Sequence, residues 1–385
     1  GGNIATLYGD PGQMPFVVVN YPPVFLTVTS IISWIVPIIS AGRLVSTLAG
    51  IAIVVAIAQL NKPLHASAMA TAARWLAATT WLAIPIVREW SGVMRVDMLG
   101  VALGLWGVYL AWRGRLTGGT ILVVLALLCK PSLIAAPLAL LVVLARTPWR
   151  QVIRAVAIGA GVGAVIVLGI TLGGGNLWLH LVQANTNSVD WALARTFWRE
   201  AWAIHWPIII SAALIVVAHL RHGKTLLTPP HLTTTMAIAY TLGGVIVGIG
   251  IGKVGAYANY FLEWYAGMIW LLVSAVSRTR RHAYMVGFLA ICSIGVARYY
   301  PLWSETYAKP YGMIEQQRPA RLVIGSYGVW QDWRREGQIL AANAVTAQAL
   351  NTLIQAHGPY VYTDVPGIAA QAGATAPMQV FEHRM

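Results

Sequence analysis

The chain has 385 residues, 58% hydrophobic and only 10% charged, with a mean hydropathy of +0.67. Soluble domains run nearer 45–50% apolar and about 25% charged, so this composition excludes an ordinary globular enzyme, a disordered chain and a nucleic-acid-binding domain. The net charge of +14 belongs to a polytopic membrane protein whose basic residues act as topology signals in its loops.

The chain starts at Gly1-Gly2 without Met, so a fragment lacking at least one upstream segment is expected. The stretch 23–40 follows Pro22-Pro23 and is interrupted by Pro37. It is predicted to lie along the outer surface or to re-enter, as a juxtamembrane element of an outer loop over 1–43. Ten apolar runs follow, at about 44–60, 68–87, 98–112, 116–130, 132–145, 152–171, 206–220, 232–252, 262–277 and 283–297, read against a span of about 20 residues. They define a transmembrane helical domain over 44–297. The stretch 116–145 reads as two short helices meeting at Lys130-Pro131, because proline cannot continue the hydrogen-bond ladder and a mid-span lysine is costly. After Ala297 the hydropathy drops. Residues 298–385 read as a small α/β segment on the outer side, with a helix over 338–356, a short strand Tyr360–Thr363 and a turn at Asp364–Gly367. Cys129 and Cys292 lie in apolar stretches and read as packing residues.

If 44–60 runs outward to inward and the runs then alternate, twelve Lys and Arg residues fall in inner loops and seven on the outer side before residue 298, as the positive-inside rule expects. Asp10, Glu89, Asp97, Asp190, Glu200 and Glu263 all fall on the outer face. Acids contribute little to topology, so carboxylates gathered with cations on one face point to a site.

Four segments could carry chemistry there. Arg88-Glu89 and Arg95-Val96-Asp97 place four charges within ten residues at the membrane boundary. A carboxylate in that position can act as a general base and the arginines can grip a phosphate; the plainer alternative is a charged loop with a capping Asp. Lys130 is a phosphate candidate or a snorkelling lysine at a helix end. Gly250–Glu263 brings Lys253, Asn259, Tyr260 and Glu263 to a glycine-rich helix end, which can admit an anion or serve close helix packing. The outer loop 173–206 carries Asn185, Asn187 and five tryptophans, suited to sugars or to interfacial anchoring. His180 and His205 lack metal-ligand spacing, so no metal site and no cofactor is expected; the sequence does not fix a divalent-metal requirement.

In this order the segments resemble the GT-C superfamily of polyprenyl-phosphate-sugar-dependent glycosyltransferases, notably the family 39 and aminoarabinose-transferase-like enzymes. Tyr21-Pro22-Pro23 resembles the proline pair ending that family's first outer loop, and Gly42-Arg43 the residues that open the next span. Arg95-Val96-Asp97 resembles the second acidic motif, and Lys130-Pro131 the lysine between two half-length helices. Gly252–Gly255 with Asn259, Tyr260 and Glu263 resembles an element of a bacterial branch, and Gly358–Gly367 a turn in the outer C-terminal domain. The resemblance implies transfer, with inversion, of a sugar from a lipid phosphate carrier to a glycan, lipid or protein acceptor outside the cytoplasm of a bacterial cell. The partners it implies are the polyprenyl-phosphate-linked donor, the acceptor and the bilayer, without nucleic acid. The family's principal catalytic acid precedes the proline pair, and Asp10 is not equated with it. Asp97 and Glu89 are then the candidate catalytic carboxylates. Arg95, Arg88, Lys130 and Lys253 are candidates for the donor phosphate, and Tyr21, Asn185, Asn187, Asn259, Tyr260 and Glu263 for substrate. The competing expectations are a transporter or flippase for a lipid-linked or anionic substrate and a non-catalytic scaffold.

Overall fold

The structure, a computed structural model, describes residues 7–10, 18–61, 68–221 and 223–278, together with Thr352. The tenth apolar run and the predicted elements of 298–385 lie outside these residues, apart from helical Thr352. The chain divides into two compact units. The larger comprises Tyr21–Gly169 and Thr186–Val296; the smaller comprises Gly1–Asn20, Ile170–Asn185 and Ala297–Met385.

The described residues form helices and no strands. In chain order they are α1 (Pro23–Ile32), α2 (Ile38–Leu60), α3 (Ala68–Ala83), α4 (Pro85–Gly92), α5 (Val96–Trp112), α6 (Leu116–Leu127), α7 (Ala135–Leu144), α8 (Trp149–Leu172), α9 (Leu177–Leu181), α10 (Trp191–Leu220), α11 (Pro229–Ile249) and α12 (Leu262–Arg278). Proline opens α1, α4 and α11, where its missing N–H costs nothing. Five segments are long and apolar enough to cross a membrane: Ile38–Leu60, Trp149–Leu172, Trp191–Leu220, His231–Gly252 and Ala258–Ser277. A sixth arises if α3 and α4, bent by 75° at their junction, count as one span. The chain is therefore read as a multi-pass membrane protein.

Every apolar run up to residue 277 coincides with a helix or part of one, but the helices differ in kind. α6 has 12 residues and α7 has 10, about 18 and 15 Å at 1.5 Å per residue. Neither spans a hydrocarbon core of about 30 Å, so the break between them at residues 128–134 is where the bundle is interrupted. Two other boundaries move. α2 begins at Ile38, straight after Pro37, so Gly42 and Arg43 lie within its second turn. The stretch 173–206 is not one loop, because Asp190 caps α10: its Oδ1 accepts from the N–H groups of Ala192 (2.8 Å) and Leu193 (3.1 Å). Capped in this way, α10 starts at Trp191 and carries Trp191, Trp198, Trp202 and Trp206 on a helix.

Inside the larger unit, small residues set the helix spacing. A Cβ on Gly244 of α11 would lie 2.3 Å from the Trp264 nitrogen of α12, and one on Gly119 of α6 would lie 2.5 Å from the Gly107 oxygen of α5. Glycine at such contacts lets helix backbones touch. α12 is buried along nearly its whole described length and forms the bundle's centre.

The unit is polar end to end. The N-termini of α2, α5, α7, α10 and α12 and the C-termini of α4, α6 and α11 share one end. The hydrogen bonds Ser46 Oγ to Arg95 O, Val24 N to Leu128 O and Asp190 N to Gly252 O link them there. Arg113, Arg115, Arg146, Arg150, Arg154 and Arg221 occupy the other end, where Arg146 donates to the Leu227 carbonyl. Among the described residues of this unit, the carboxylates Glu89, Asp97, Asp190, Glu200 and Glu263 all belong to the first end or the helix turns next to it.

In the smaller unit, His180 of α9 is fully buried. Its Nδ1 accepts from the Val19 N–H at 3.1 Å, and Nε2 lies 2.7 Å from the Gly9 carbonyl. This ring ties the backbone at Gly9 and Val19 to α9.

Candidate functional site

The site is assembled around Lys130. Pro131 ends the helical ladder, and Lys130 stands in the break between α6 and α7, 5% exposed. A buried ammonium is costly unless it is paired. Its partner is Asp97, the second residue of α5, 1% exposed, with Lys130 Nζ donating to Oδ1 at 2.7 Å. Asp97 also sits where a helix N-terminus favours negative charge. Asn259 Nδ2 donates to the same oxygen at 2.9 Å, and Trp90 Nε1 donates to Oδ2 at 3.1 Å. The Lys130 ammonium also lies 4.4 Å from the centroid of the Tyr260 ring, a cation–π contact that desolvation strengthens. Tyr21, just before α1, contributes to the electrostatic surroundings of the same amine.

The strands of chain bearing Asn259 and Tyr260 are fixed from the other side. Residues 188–190 and 252–254 pair through Asp190 N to Gly252 O (2.7 Å) and Val254 N to Ser188 O (2.9 Å), and Asn187 Nδ2 donates to the Val254 carbonyl at 2.9 Å. Lys253 stands in this pairing, half-buried. Among the described residues its amine has no ion pair. Partial burial lowers its pKa below the ordinary lysine value, and the like charge of Lys130 adds to the effect. Trp90 stacks on Tyr257 with centroids 5.3 Å apart and planes 15° from parallel, and Phe197 meets Tyr257 edge-on at 6.1 Å.

The sequence candidates therefore separate. Asp97, Lys130, Asn259 and Tyr260 touch one another, with Tyr21 and Lys253 beside them. Asp97 accepts three hydrogen bonds in a dry setting. Donors to the ionised form make a carboxylate a weak proton acceptor, so its geometry suits holding Lys130 better than serving as a general base. Glu263 is 2% exposed, and its Oε2 accepts from the Ala135 N–H at 3.4 Å. It caps the start of α7. Asn187 secures the Lys253 segment. Asn185 belongs to the smaller unit, where it donates to the His180 and Leu181 carbonyls at 3.1 and 3.2 Å. Arg88, Glu89 and Arg95 are exposed on α4 and at the cap of α5; partial burial of its carboxyl raises the Glu89 pKa above the ordinary carboxylate value, and the Arg95 charge across that turn opposes the rise.

Trp90 and Tyr257 were not singled out by sequence. Trp90 lies inside the Arg88–Asp97 charge cluster and Tyr257 inside the Gly250–Glu263 segment, and those two segments were the available signals. Among the described residues no group of three His, Cys, Asp or Glu side chains converges as metal ligands do. The chain matches no family model, no curated protein and no solved structure.

Proposed function

We propose that this protein is an integral-membrane glycosyltransferase that moves a sugar, with inversion, from a polyprenyl-phosphate carrier to an acceptor at the outer face of a bacterial inner membrane. The observation that carries the reading is Lys130, buried in a matched ion pair at a break between two half-length helices, with Lys253, which has no ion pair among the described residues, beside it. A carrier's isoprenoid tail stays in lipid and its phosphate waits at the boundary, so a cation at a helix break meets the phosphate at the right depth. In this reading Lys253 and Arg95 take the charge that develops on the leaving phosphate. Asp97 keeps Lys130 ionised and oriented, and the Trp90–Tyr257 stack offers an aromatic face to the sugar. Glu89, exposed to water and balanced by Arg95, is placed to draw the proton from an acceptor hydroxyl. An orientation with the carboxylate-bearing end outside belongs to this proposal and is supported by the arginines at the other end; of the ten apolar runs, those of α6 and α7 count in it as one broken pair of half-length helices.

The test is turnover. Purified full-length protein supplied with a polyprenyl-phosphate sugar and a labelled acceptor should release free polyprenyl phosphate, and Lys253→Met and Asp97→Asn should each abolish release. Normal release by either variant removes that residue from the site. Movement of intact donor across vesicles, without cleavage of the sugar–phosphate bond, would replace the transferase by the flippase reading, which broken helices lined with charge also favour.

A further inference from the structure

α8 has one face that packs and one that does not. Gly159 and Gly163 turn toward α6: a Cβ on them would lie 2.8 Å from Thr120 Cγ2 and 3.2 Å from Val124 Cγ1. The opposite face carries Arg150, Arg154, Ala157, Gly161, Val165 and Leu168 at the 4-3-4-4-3 spacing of a single helical stripe, and all six are exposed. A Cβ added at Gly161 would meet nothing within 4 Å, so the stripe is uncovered below its two arginines. Trp149 is 67% exposed at the helix start, with the Arg150 guanidinium 5.8 Å from its ring centroid. Exposed tryptophans sit at the headgroup level of a bilayer, which fixes the depth of the arginines. From Arg154 to Val165 the helix rises about 16 Å, close to half of a hydrocarbon core of about 30 Å.

From this pattern we infer that the outer face of α8 is a binding site for one anionic phospholipid, its phosphate held by Arg150 and Arg154 and its acyl chains lying along Ala157, Gly161, Val165 and Leu168. Charge complementarity selects the occupant. Among the described residues of this unit no carboxylate lies at this end, and the α6–α8 register sets Arg115 level with Arg154, adding positive potential. A second copy of α8 docked in parallel on the same stripe would oppose arginine to arginine, and a zwitterionic lipid brings its own cation beside the phosphate, so it adds no net negative charge to the two arginines. The inference is independent of sugar transfer.

Native mass spectrometry of the detergent-solubilised protein titrated with phosphatidylglycerol and phosphatidylcholine tests it. The wild type should retain phosphatidylglycerol selectively. Arg150→Gln/Arg154→Gln should weaken that retention about tenfold or more, given the attraction each basic residue exerts on anionic lipid. Arg150→Lys/Arg154→Lys should keep most of it, and Arg221→Gln, elsewhere at the same end, should keep all of it. Because these side chains are exposed, unchanged helicity by circular dichroism is expected for each variant. Equal retention of both lipids, undiminished retention by the glutamine variant, displacement of phosphatidylglycerol by inorganic phosphate, or a dimer lost in that variant would overturn the assignment.

Discussion

The buried Lys130 at one end of the larger unit and the arginines at the other end carry charge in different ways, although Arg88 and Arg95 near the first are also exposed. At one end Lys130 is withdrawn from solvent, and every group around it answers its charge: Asp97 at 2.7 Å, the Tyr260 face at 4.4 Å, and Asn259 and Trp90 completing the carboxylate's bonds. At the other end Arg113, Arg115, Arg150 and Arg154 stand exposed, with no carboxylate near them among the described residues. A buried charge is tolerable only with its partner in place, so the first end is a constructed arrangement that any single change disturbs. An exposed charge is solvated wherever it stands, so Arg113, Arg115, Arg150 and Arg154 place little demand on the fold.

The sharpest way to break this contrast is to strip one partner from the buried pair. Lys130→Met leaves the Asp97 carboxylate buried and unpaired, and should cost about 3–5 kcal/mol in denaturant unfolding in micelles. Lys130→Met with Asp97→Asn should cost less than Lys130→Met alone, because no net charge then remains buried; an additive loss would mean that the two residues are not coupled. Next in size is Gly244→Ala in the scaffold behind the site. Its Cβ meets backbone, not a flexible side chain, and should cost about 1–3 kcal/mol by the same measurement. Removing the α7 cap with Glu263→Ala should cost about 1 kcal/mol and weaken the hold on the 128–134 break. Glu263→Gln, which keeps an acceptor oxygen, should lose less. Smallest is Arg150→Gln with Arg154→Gln, which should change stability by less than about 0.5 kcal/mol. A loss as large as that from Lys130→Met would erase the distinction between the two ends.

Much of the fold was legible locally. Lys130-Pro131 was readable as a break because proline acts on its own ladder, and the structure places residues 128–134 between two short helices. The helices themselves followed from runs of apolar residues. Errors arose where a single capping side chain moved a boundary: Asp190 starts α10 where loop-like composition predicted none. Glu263 is grouped with Lys253 and Asn259 in sequence, but its role as the α7 cap depends on Ala135, 128 residues away. The same limit explains Tyr257, whose stacking partner Trp90 is brought in by the fold.

Sequence by itself determined that this chain is helical and membrane-like, where its principal helix break falls, and that acids are segregated from one set of arginines, because hydropathy, proline and charge order act over a few residues. Only the tertiary structure decided that Lys130 pairs with Asp97, 33 residues away, under a hydrogen bond from Asn259, 162 residues from that carboxylate. Which charges are buried together depends on how closely helices distant in sequence can pack, and that is set by glycines and side-chain volumes on both partners at once.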